Sequence, residues 1–228
     1  MIAVQINVIQ WQPITGCSYR SPGCINCKAM KLASPELKEH FHSEGLVKDS
    51  KSGSVWTGQM RFSEERLLEP LSVLEPSAFY VCPHGDLFHE NVPVEWLDKV
   101  FDVIAKCPSH WFQILTKRSR RQRDYLTDRF GDKPLHNVGI GVSCERQQEA
   151  DERLPHLIDT PARIRYATFY PLLGPIDIGR YLDGSISTVL AGEEEERPAN
   201  HKWIDRLHAS CVIAGIPFIN SSELVGER

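Results

Sequence analysis

The chain has 228 residues, of which 41% are hydrophobic and 25% charged, a composition typical of a folded domain with a full core. Its formal net charge of −4 argues against a protein that is basic overall and binds nucleic acid through bulk charge. No apolar run approaches the length of a membrane span, so we expect no membrane partner.

Short apolar runs alternate with amphipathic stretches, a pattern typical of strands that alternate with helices. In chain order, we predict strands at 4–11, 79–82, 111–115, 138–142, 163–168, 188–191 and 217–220. Among them we predict helices at 26–32, 64–74, 94–105, 119–130, 145–154 and 201–214. A polar stretch rich in Gly, Ser and Lys predicts an irregular insertion near 43–62, within a single domain that spans 1–228.

This alternation predicts an α/β fold with mostly parallel strands and crossover helices. A count of about seven strands favours a partial or complete (β/α) barrel over a six-stranded open sheet. In such barrels the chemistry lies in the loops that follow the strands. The polar side chains fit this rule, because a group of them follows each predicted strand.

Three cysteines lie in one loop after the first predicted strand: Cys17, Cys24 and Cys27, spaced C-x6-C-x2-C. The glycines and proline among them indicate a loop rather than a helix. Three thiolates can bind three irons of a [4Fe–4S] cluster and leave the fourth iron open to a small molecule. The sequence therefore favours a redox-cofactor enzyme.

Other interpretations of the cysteine loop stay open. A zinc site could be completed by His40 or His42, although four-ligand zinc sites usually show two closely spaced pairs and only one is present here. The cysteines could also be packing residues. A disulfide is less favoured, because the total of seven cysteines is odd and no secretory leader is evident, so we expect a reducing cytoplasm.

An open iron favours S-adenosylmethionine, whose amino and carboxylate groups can chelate the metal and whose reductive cleavage gives a 5′-deoxyadenosyl radical. Such a ligand needs an acceptor for its ammonium group, a cation for its carboxylate and polar partners for its ribose. The candidates are Asp86 or Glu193 for the ammonium group, Lys117 or Arg118 for the carboxylate, and Ser143 with Glu145 for the ribose.

Two histidines, His84 and His89, flank Asp86 in the loop after the strand at 79–82, which suggests a metal site or an acid/base pair. These three residues with Glu193 keep open a metal-dependent hydrolase or nuclease. The basic run at 117–123 is consistent with a nucleic-acid or nucleotide substrate, although a solvated helix face explains such a run more simply.

Eight short motifs occur in order along the chain, at 11–17, 21–27, 85–90, 112–118, 141–143, 171–176, 191–193 and 197–198. They include Trp-Gln-Pro-Ile-Thr-Gly-Cys, Gly-Asp-Leu-Phe-His-Glu and Pro-Leu-Leu-Gly-Pro-Ile. Together they resemble an uncharacterised family of phage and bacterial three-cysteine proteins, the phage Gp37/Gp68-like group, which is radical-SAM-like in layout. The resemblance covers nearly the whole chain.

This resemblance implies an iron–sulfur barrel protein with S-adenosylmethionine as ligand, and it implies Cys17, Cys24 and Cys27 as the cluster ligands. Three places depart from the family pattern: Lys28 stands where Tyr is usual, Tyr170 where Glu is usual, and 220–222 where Lys-Gln-Trp is usual. We therefore expect a diverged member with its own substrate.

The leading hypothesis is a phage-encoded radical-SAM enzyme that modifies or isomerises a group on a DNA base in the host cytoplasm. His89 and Tyr170 are its predicted catalytic residues, and a host flavodoxin-type protein is the expected reductant. The alternatives are a non-enzymatic module that binds zinc or a cluster, and the metal-dependent hydrolase or nuclease.

Overall fold

The computed structural model describes residues 7–33, 44–51 and 53–221. The chain divides into two compact units. The first unit contains Met1–Tyr19, Asn26–Ile114 and Leu135–Gly139, and the second contains Arg20–Ile25, Leu115–Pro134 and Ile140–Arg228. The cysteine loop contributes to both, since Cys17 and Cys27 belong to the first unit and Cys24 to the second.

Strands and helices alternate through most of the described chain. The strands are β1 (Asn7–Trp11), β2 (Ile14–Thr15), β3 (Val47–Ser50), β4 (Gly53–Trp56), β5 (Arg61–Phe62), β6 (Ser77–Val81), β7 (Trp111–Thr116), β8 (Val138–Ser143), β9 (Ile164–Phe169), β10 (Thr188–Ala191) and β11 (Phe218–Asn220). The α-helices are α1 (Lys28–Leu32), α2 (Glu64–Leu67), α3 (Glu69–Ser72), α4 (Val94–Lys106), α5 (Ser119–Phe130), α6 (Gln147–Asp159) and α7 (His201–Ala214). Among the described residues, no helix has both the length and the apolar character that crossing a membrane requires.

The main sheet has seven strands in the order β1-β6-β7-β8-β9-β10-β11. The pairs β1–β6, β6–β7, β9–β10 and β10–β11 are parallel. One α-helix lies between each two successive strands from β6 to β9, and α7 connects β10 to β11. Parallel neighbours need such crossover connections. This is the strand order of a partial (β/α) barrel, so the predicted α/β fold class is confirmed.

The segment between residues 44 and 72 differs from the prediction. β3 and β4 pair antiparallel, with Val47 opposite Trp56, so the described part of the predicted irregular insertion contains a β-hairpin. Its strands are short and carry polar residues of low strand propensity, which concealed them in the sequence. The helix predicted at 64–74 is two short helices, α2 and α3, because Pro70 in the first turn of α3 has no N–H with which to continue α2.

Three aromatic side chains form the core of the first unit beside the cysteine loop. Trp11 packs edge-on against Phe112, with ring centroids 5.5 Å apart, and Phe79 stacks on Phe112 at 5.2 Å. The indole N–H of Trp11 donates to the carbonyl of Arg66 at 2.8 Å, so the polar edge of this buried ring is satisfied. These contacts fix the last residue of β1, from which the cysteine loop continues.

Close packing of β8 against β9 sets the core of the second unit. All six residues of β8 are buried. A Cβ at Gly141 would lie 2.3 Å from the ring of Tyr166, so glycine is needed to seat that ring. Ser143 therefore lies at the end of a buried strand, and the residues after it continue from that fixed point.

We expect Leu97→Ala to lower the free energy of unfolding by about 2–5 kcal/mol, because Leu97 in α4 is fully buried and truncation leaves a cavity. The matched control is Leu74→Ala in the same unit, where the side chain is 91% exposed and the change should stay within about 0.5 kcal/mol. Urea unfolding measures both. Equal effects of the two substitutions would contradict the assigned core.

Candidate functional site

Close backbone contacts within the first unit fix the chain around Cys17. Gly16 has a φ of +112°, and a Cβ there would lie 2.2 Å from the carbonyl oxygen of Gln59, so this position requires glycine. Gly16 also forms a parallel bridge with Gly85. The Gly58 N–H donates to the Cys17 carbonyl at 3.1 Å. Cys17 is half-buried and forms no disulfide, and its thiol donates to the Ser18 carbonyl at 3.5 Å.

The side chain that follows Cys17 is hydrogen-bonded to the predicted catalytic histidine. Ser18 Oγ lies 2.8 Å from His89 Nε2, and the Asn91 N–H donates to His89 Nδ1 at 3.1 Å. Because Nδ1 accepts, the neutral ring carries its proton on Nε2 and donates it to Ser18. The structure thus connects buried His89 to the cysteine loop through one hydroxyl.

Two glutamines hold the second histidine of this region. Gln10 Oε1 lies 3.1 Å from His84 Nε2, and Gln12 Oε1 accepts from the His84 N–H at 3.0 Å. Burial, with the positive charges of Lys28 and Arg66, lowers the pKa of His84. The ring is therefore neutral near neutral pH and acts as a hydrogen-bonding group.

Asp86, a predicted ligand for the ammonium group, shapes a turn in the first unit. Its Oδ1 accepts from the Phe88 N–H at 3.0 Å, the arrangement of an Asx turn. Burial raises the pKa of Tyr80 and of Cys82 to about 12 each, and the negative charge of Asp86 adds to both shifts. Tyr80 and Cys82 are therefore protonated at neutral pH, while the ligand role of Asp86 stays a prediction.

In the second unit, Cys24 lies in the 3₁₀ turn Pro22–Cys24. Its N–H donates to the Ser21 carbonyl at 2.8 Å. The Arg20 N–H in turn donates to the Cys24 sulfur at 3.4 Å. Hydrogen bonds to cysteine sulfurs are among the factors that set the potentials of iron–sulfur clusters, so this contact suits a cluster ligand.

A fully buried carboxylate, Glu145, contacts the Cys24 turn. Ser21 Oγ donates to Glu145 Oε2 at 2.9 Å. A Cβ on Gly23 would lie 2.4 Å from both Cγ and Oε1 of Glu145, so the glycine backbone packs directly on the carboxylate. Arg153 Nη1 lies 3.3 Å from Oε2, and Lys117 forms an ion pair with Oε1. Two cations and a hydroxyl offset the desolvation of this charge.

Lys117 also contacts the carboxyl end of β8. Its Nζ donates to Ser143 Oγ at 3.1 Å, and Ser143 Oγ lies 3.5 Å from the Tyr170 carbonyl oxygen. Three predicted cofactor-binding residues, Lys117, Ser143 and Glu145, thus lie in one network of the second unit. In the structure the Glu145 carboxylate is bound by Lys117, Arg153 and Ser21. Ribose binding by Ser143 and Glu145 stays a prediction.

The loops after β9 and β10 contact each other, since the Leu172 N–H donates to the Gly192 carbonyl at 2.9 Å. Tyr170 is 38% exposed, and burial with the negative charges of Glu194 and Glu196 raises its pKa, so the phenol keeps its proton at neutral pH. Arg197 pairs with the Glu194 carboxylate, and its Nη1 donates to the Pro22 carbonyl at 2.9 Å. The loop after β10 therefore contacts the Cys24 turn.

The remaining predicted cofactor-binding residues, Glu193 and Arg118, make local contacts. Glu193 Oε2 accepts from the Ala199 N–H at 2.7 Å. Arg118 is buried at the start of α5, and its N–H donates to Thr116 Oγ1 at 2.9 Å. Neither contact tests the ligand roles of these residues, which stay predictions.

Within residues 7–33, 44–51 and 53–221, no group of three or more His, Cys, Asp or Glu side chains surrounds a common metal position. His40 and His42, the alternative zinc ligands, lie outside the described residues. A cubane cluster binds each thiolate through a different iron, so its cysteine sulfurs need not converge on one point. The donor chemistry of the loop fits such a cluster, because none of the three cysteines is in a disulfide.

The sequence did not identify Ser18, Ser21 or Arg153 as parts of the site. The two serines carry a weak signal, since each lies within the cysteine loop and offers a hydroxyl close to a ligand candidate. Arg153 falls eight residues after Glu145 in the predicted helix, a spacing that places two side chains near one face. No pattern, however, pairs a loop serine with a carboxylate 124 residues away.

Comparison with known proteins identifies a family. A family model described as "Protein of unknown function (DUF5131)" matches residues 4–222, nearly the whole chain. No curated protein and no solved structure matches. The resemblance to the phage three-cysteine group accordingly stays a prediction.

We expect acid to destabilise the protein in part through His84. Its folded pKa lies below that of an unfolded histidine, so the unfolded chain binds more protons once pH falls below about 6.5. The free energy of unfolding therefore decreases with falling pH in that range. His84→Gln keeps a donor for Gln10 but does not titrate, so it should lessen the decrease. Urea unfolding from about pH 7.5 to about pH 5 measures this; an unchanged pH dependence would contradict it.

We expect Cys82 and Cys144 to resist alkylation in the folded, metal-free protein. Burial raises the pKa of each thiol to about 12, which makes the thiolate fraction near pH 8 roughly a thousandfold smaller than for an unperturbed cysteine. The half-buried Cys17 and Cys27 should react first. Iodoacetamide labelling followed by peptide mass spectrometry gives the order, and prior labelling of Cys82 or Cys144 would contradict it.

Proposed function

We propose that this chain, which belongs to the family described as "Protein of unknown function (DUF5131)", is a radical S-adenosylmethionine enzyme. One observation carries the proposal: three cysteines that form no disulfide, Cys17, Cys24 and Cys27, lie in one loop after β1 and β2, where the chain leaves a parallel sheet. In (β/α) folds the functional residues lie in loops at that position. A [4Fe–4S] cluster bound by three cysteines leaves its fourth iron open to a small chelating ligand.

The three cysteines are the proposed ligands of a [4Fe–4S] cluster. With S-adenosylmethionine bound, that centre supplies one-electron radical chemistry. The chain holds the ligand candidates by separate means: Gly58 fixes the Cys17 carbonyl, and the Arg20 N–H reaches the Cys24 sulfur. The first contact favours a defined position for the Cys17 backbone, and the second favours a defined position for the Cys24 sulfur.

Polar residues of the second unit are proposed to bind the charged end and the ribose of S-adenosylmethionine. Lys117 Nζ contacts both Glu145 and Ser143, so an incoming carboxylate would compete with Glu145 for a cation that is already placed. Arg118 is the second candidate for the carboxylate, Asp86 and Glu193 are those for the ammonium group, and Ser143 and Glu145 are those for the ribose.

His89 and Tyr170 are the proposed catalytic residues. His89 carries its proton on Nε2, in a hydrogen bond to Ser18, and can exchange that proton in an acid/base step. Tyr170 retains its phenolic hydrogen because its pKa is raised, and its partial exposure leaves the ring open to a substrate. A retained O–H can quench a substrate radical by donating its hydrogen atom. One electron from the flavodoxin-type reductant and one proton would then restore the phenol from the tyrosyl radical.

We further propose that the substrate is a nucleic-acid or nucleotide base and that the reaction is a modification or isomerisation of a group on it. Support comes from α5, where Arg120 is exposed and offers positive charge to phosphates, while the partly exposed Arg123 pairs with Asp124. A cytoplasmic setting would supply a flavodoxin-type reductant.

We expect anaerobic reconstitution with iron and sulfide to give a brown protein with about four irons per chain. Addition of dithionite and S-adenosylmethionine should then release 5′-deoxyadenosine. Cys24→Ala should lose both results, because it removes one of the three ligands. Cys107→Ala is the matched control, since Cys107 is a buried thiol outside the loop.

Three outcomes would contradict the proposal. The first is a colourless protein after reconstitution, and the second is a bound cluster that never cleaves S-adenosylmethionine. The third is one zinc per chain in protein purified without oxygen, which would instead support a non-enzymatic zinc module. Nuclease activity with Mn²⁺ that survives Cys24→Ala would support the hydrolase.

A further inference from the structure

We infer that Glu145 is a positioning residue that holds Cys24 in place, a role distinct from ribose binding that rests on the proposed cluster site. The Glu145 side chain is 0% exposed. It accepts from Ser21 Oγ at 2.9 Å, and the Gly23 backbone packs on it so closely that a Cβ would lie 2.4 Å from Cγ. Two of the three residues that precede Cys24 therefore rest on one carboxylate.

The carboxylate itself is immobilised. Arg153, 1% exposed, lies 3.3 Å from Oε2, and the same Nη1 donates to the Ser143 carbonyl. Lys117 pairs with Oε1. The Leu173 N–H donates to the Glu145 carbonyl at 2.8 Å, so the backbone is held as well. A carboxylate bound by two cations keeps one orientation, because no other orientation retains both partners. It can therefore hold the turn that packs on it in a fixed position.

The residue between Ser21 and Gly23 is held from another element. Arg197 Nη1 donates to the Pro22 carbonyl at 2.9 Å, and Arg197 is in turn paired with Glu194. Ser21, Pro22 and Gly23 thus each have a long-range contact within the second unit. A turn held only by its local 3₁₀ hydrogen bonds would need none of them.

The Cys24 sulfur depends on this turn for its own hydrogen bond. The Arg20 N–H reaches Sγ at 3.4 Å across the turn, and the Cys24 side chain is 9% exposed. Release of Ser21 from Glu145 should let the turn open and expose the sulfur. Cys17 should be unaffected, since the first unit fixes its backbone through Gly16 and Gly58.

The decisive experiment compares Ser21→Ala with Ser21→Thr in the metal-free protein. Iodoacetamide labelling is followed for each cysteine by peptide mass spectrometry. Ser21→Ala should raise the labelling rate of Cys24 about tenfold, the usual effect of losing a hydrogen bond to a charged group. Ser21→Thr keeps a hydroxyl at this position, so its Cys24 labelling rate should stay within about twofold of that of the parent chain.

The matched control is Ser119→Ala, which removes another buried serine hydroxyl of the second unit, bonded to His156 Nδ1 at 3.0 Å rather than to the turn. It should leave Cys24 labelling unchanged. Glu145→Gln should raise Cys24 labelling at least as much as Ser21→Ala. In reconstituted protein, Ser21→Ala should shift the electron paramagnetic resonance spectrum of the reduced cluster, and Ser119→Ala should not.

Two results would overturn the inference: an unchanged Cys24 rate in Ser21→Ala, or an equal rise at Cys24 and at buried Cys211, which would indicate general unfolding. The labelling arm needs no metal, so it is separate from the test of the proposed function. Faster Cys24 labelling in a chain that never binds iron would keep Glu145 as the anchor of the turn and reject the enzyme.

Discussion

A carboxylate removed entirely from water organises the second unit. Glu145 is tolerated in the interior because Lys117 and Arg153 supply opposite charge and Ser21 supplies a hydroxyl. Removing one partner of such a buried arrangement typically costs about 3–5 kcal/mol, since the remaining charge has no solvent to replace it. Three segments that are distant in sequence, around positions 21, 117 and 145–153, are therefore held in one geometry, and the turn that carries Cys24 is one of them.

The cysteine loop uses the same arrangement in each unit. In the first unit, Ser18 follows Cys17 and bonds to buried His89. In the second unit, Ser21 begins the turn of Cys24 and bonds to buried Glu145. In both places a loop hydroxyl is held by a titratable side chain that the interior keeps in one orientation. Glycine makes the close approaches that this requires, at positions 16 and 23.

The α/β alternation could be predicted because the main helices and strands have a regular spacing of hydrophobic residues. The helices predicted at 119–130 and 201–214, for example, match α5 and α7. The β3–β4 hairpin could not, since its strands are short and polar, and Pro70 divided a helix that hydrophobic spacing alone would continue. Residue types after strands suggested Lys117, Ser143 and Glu145 as cofactor-binding residues, together with Asp86, Arg118 and Glu193. The contacts among Lys117, Ser143 and Glu145, and with Ser21, depend on long-range packing that no local pattern encodes.

The contact between Gly23 and Glu145 restricts how this protein can change over evolutionary time. Any larger residue at position 23 would overlap the carboxylate unless position 145 became shorter at the same step. A shorter acid would in turn withdraw from Lys117 and Arg153. These two sites, more than a hundred residues apart in the printed sequence, are therefore expected to change together. A substitution at one is disfavoured until the other has changed, and a lineage that altered both would have rebuilt the support of the turn that carries Cys24.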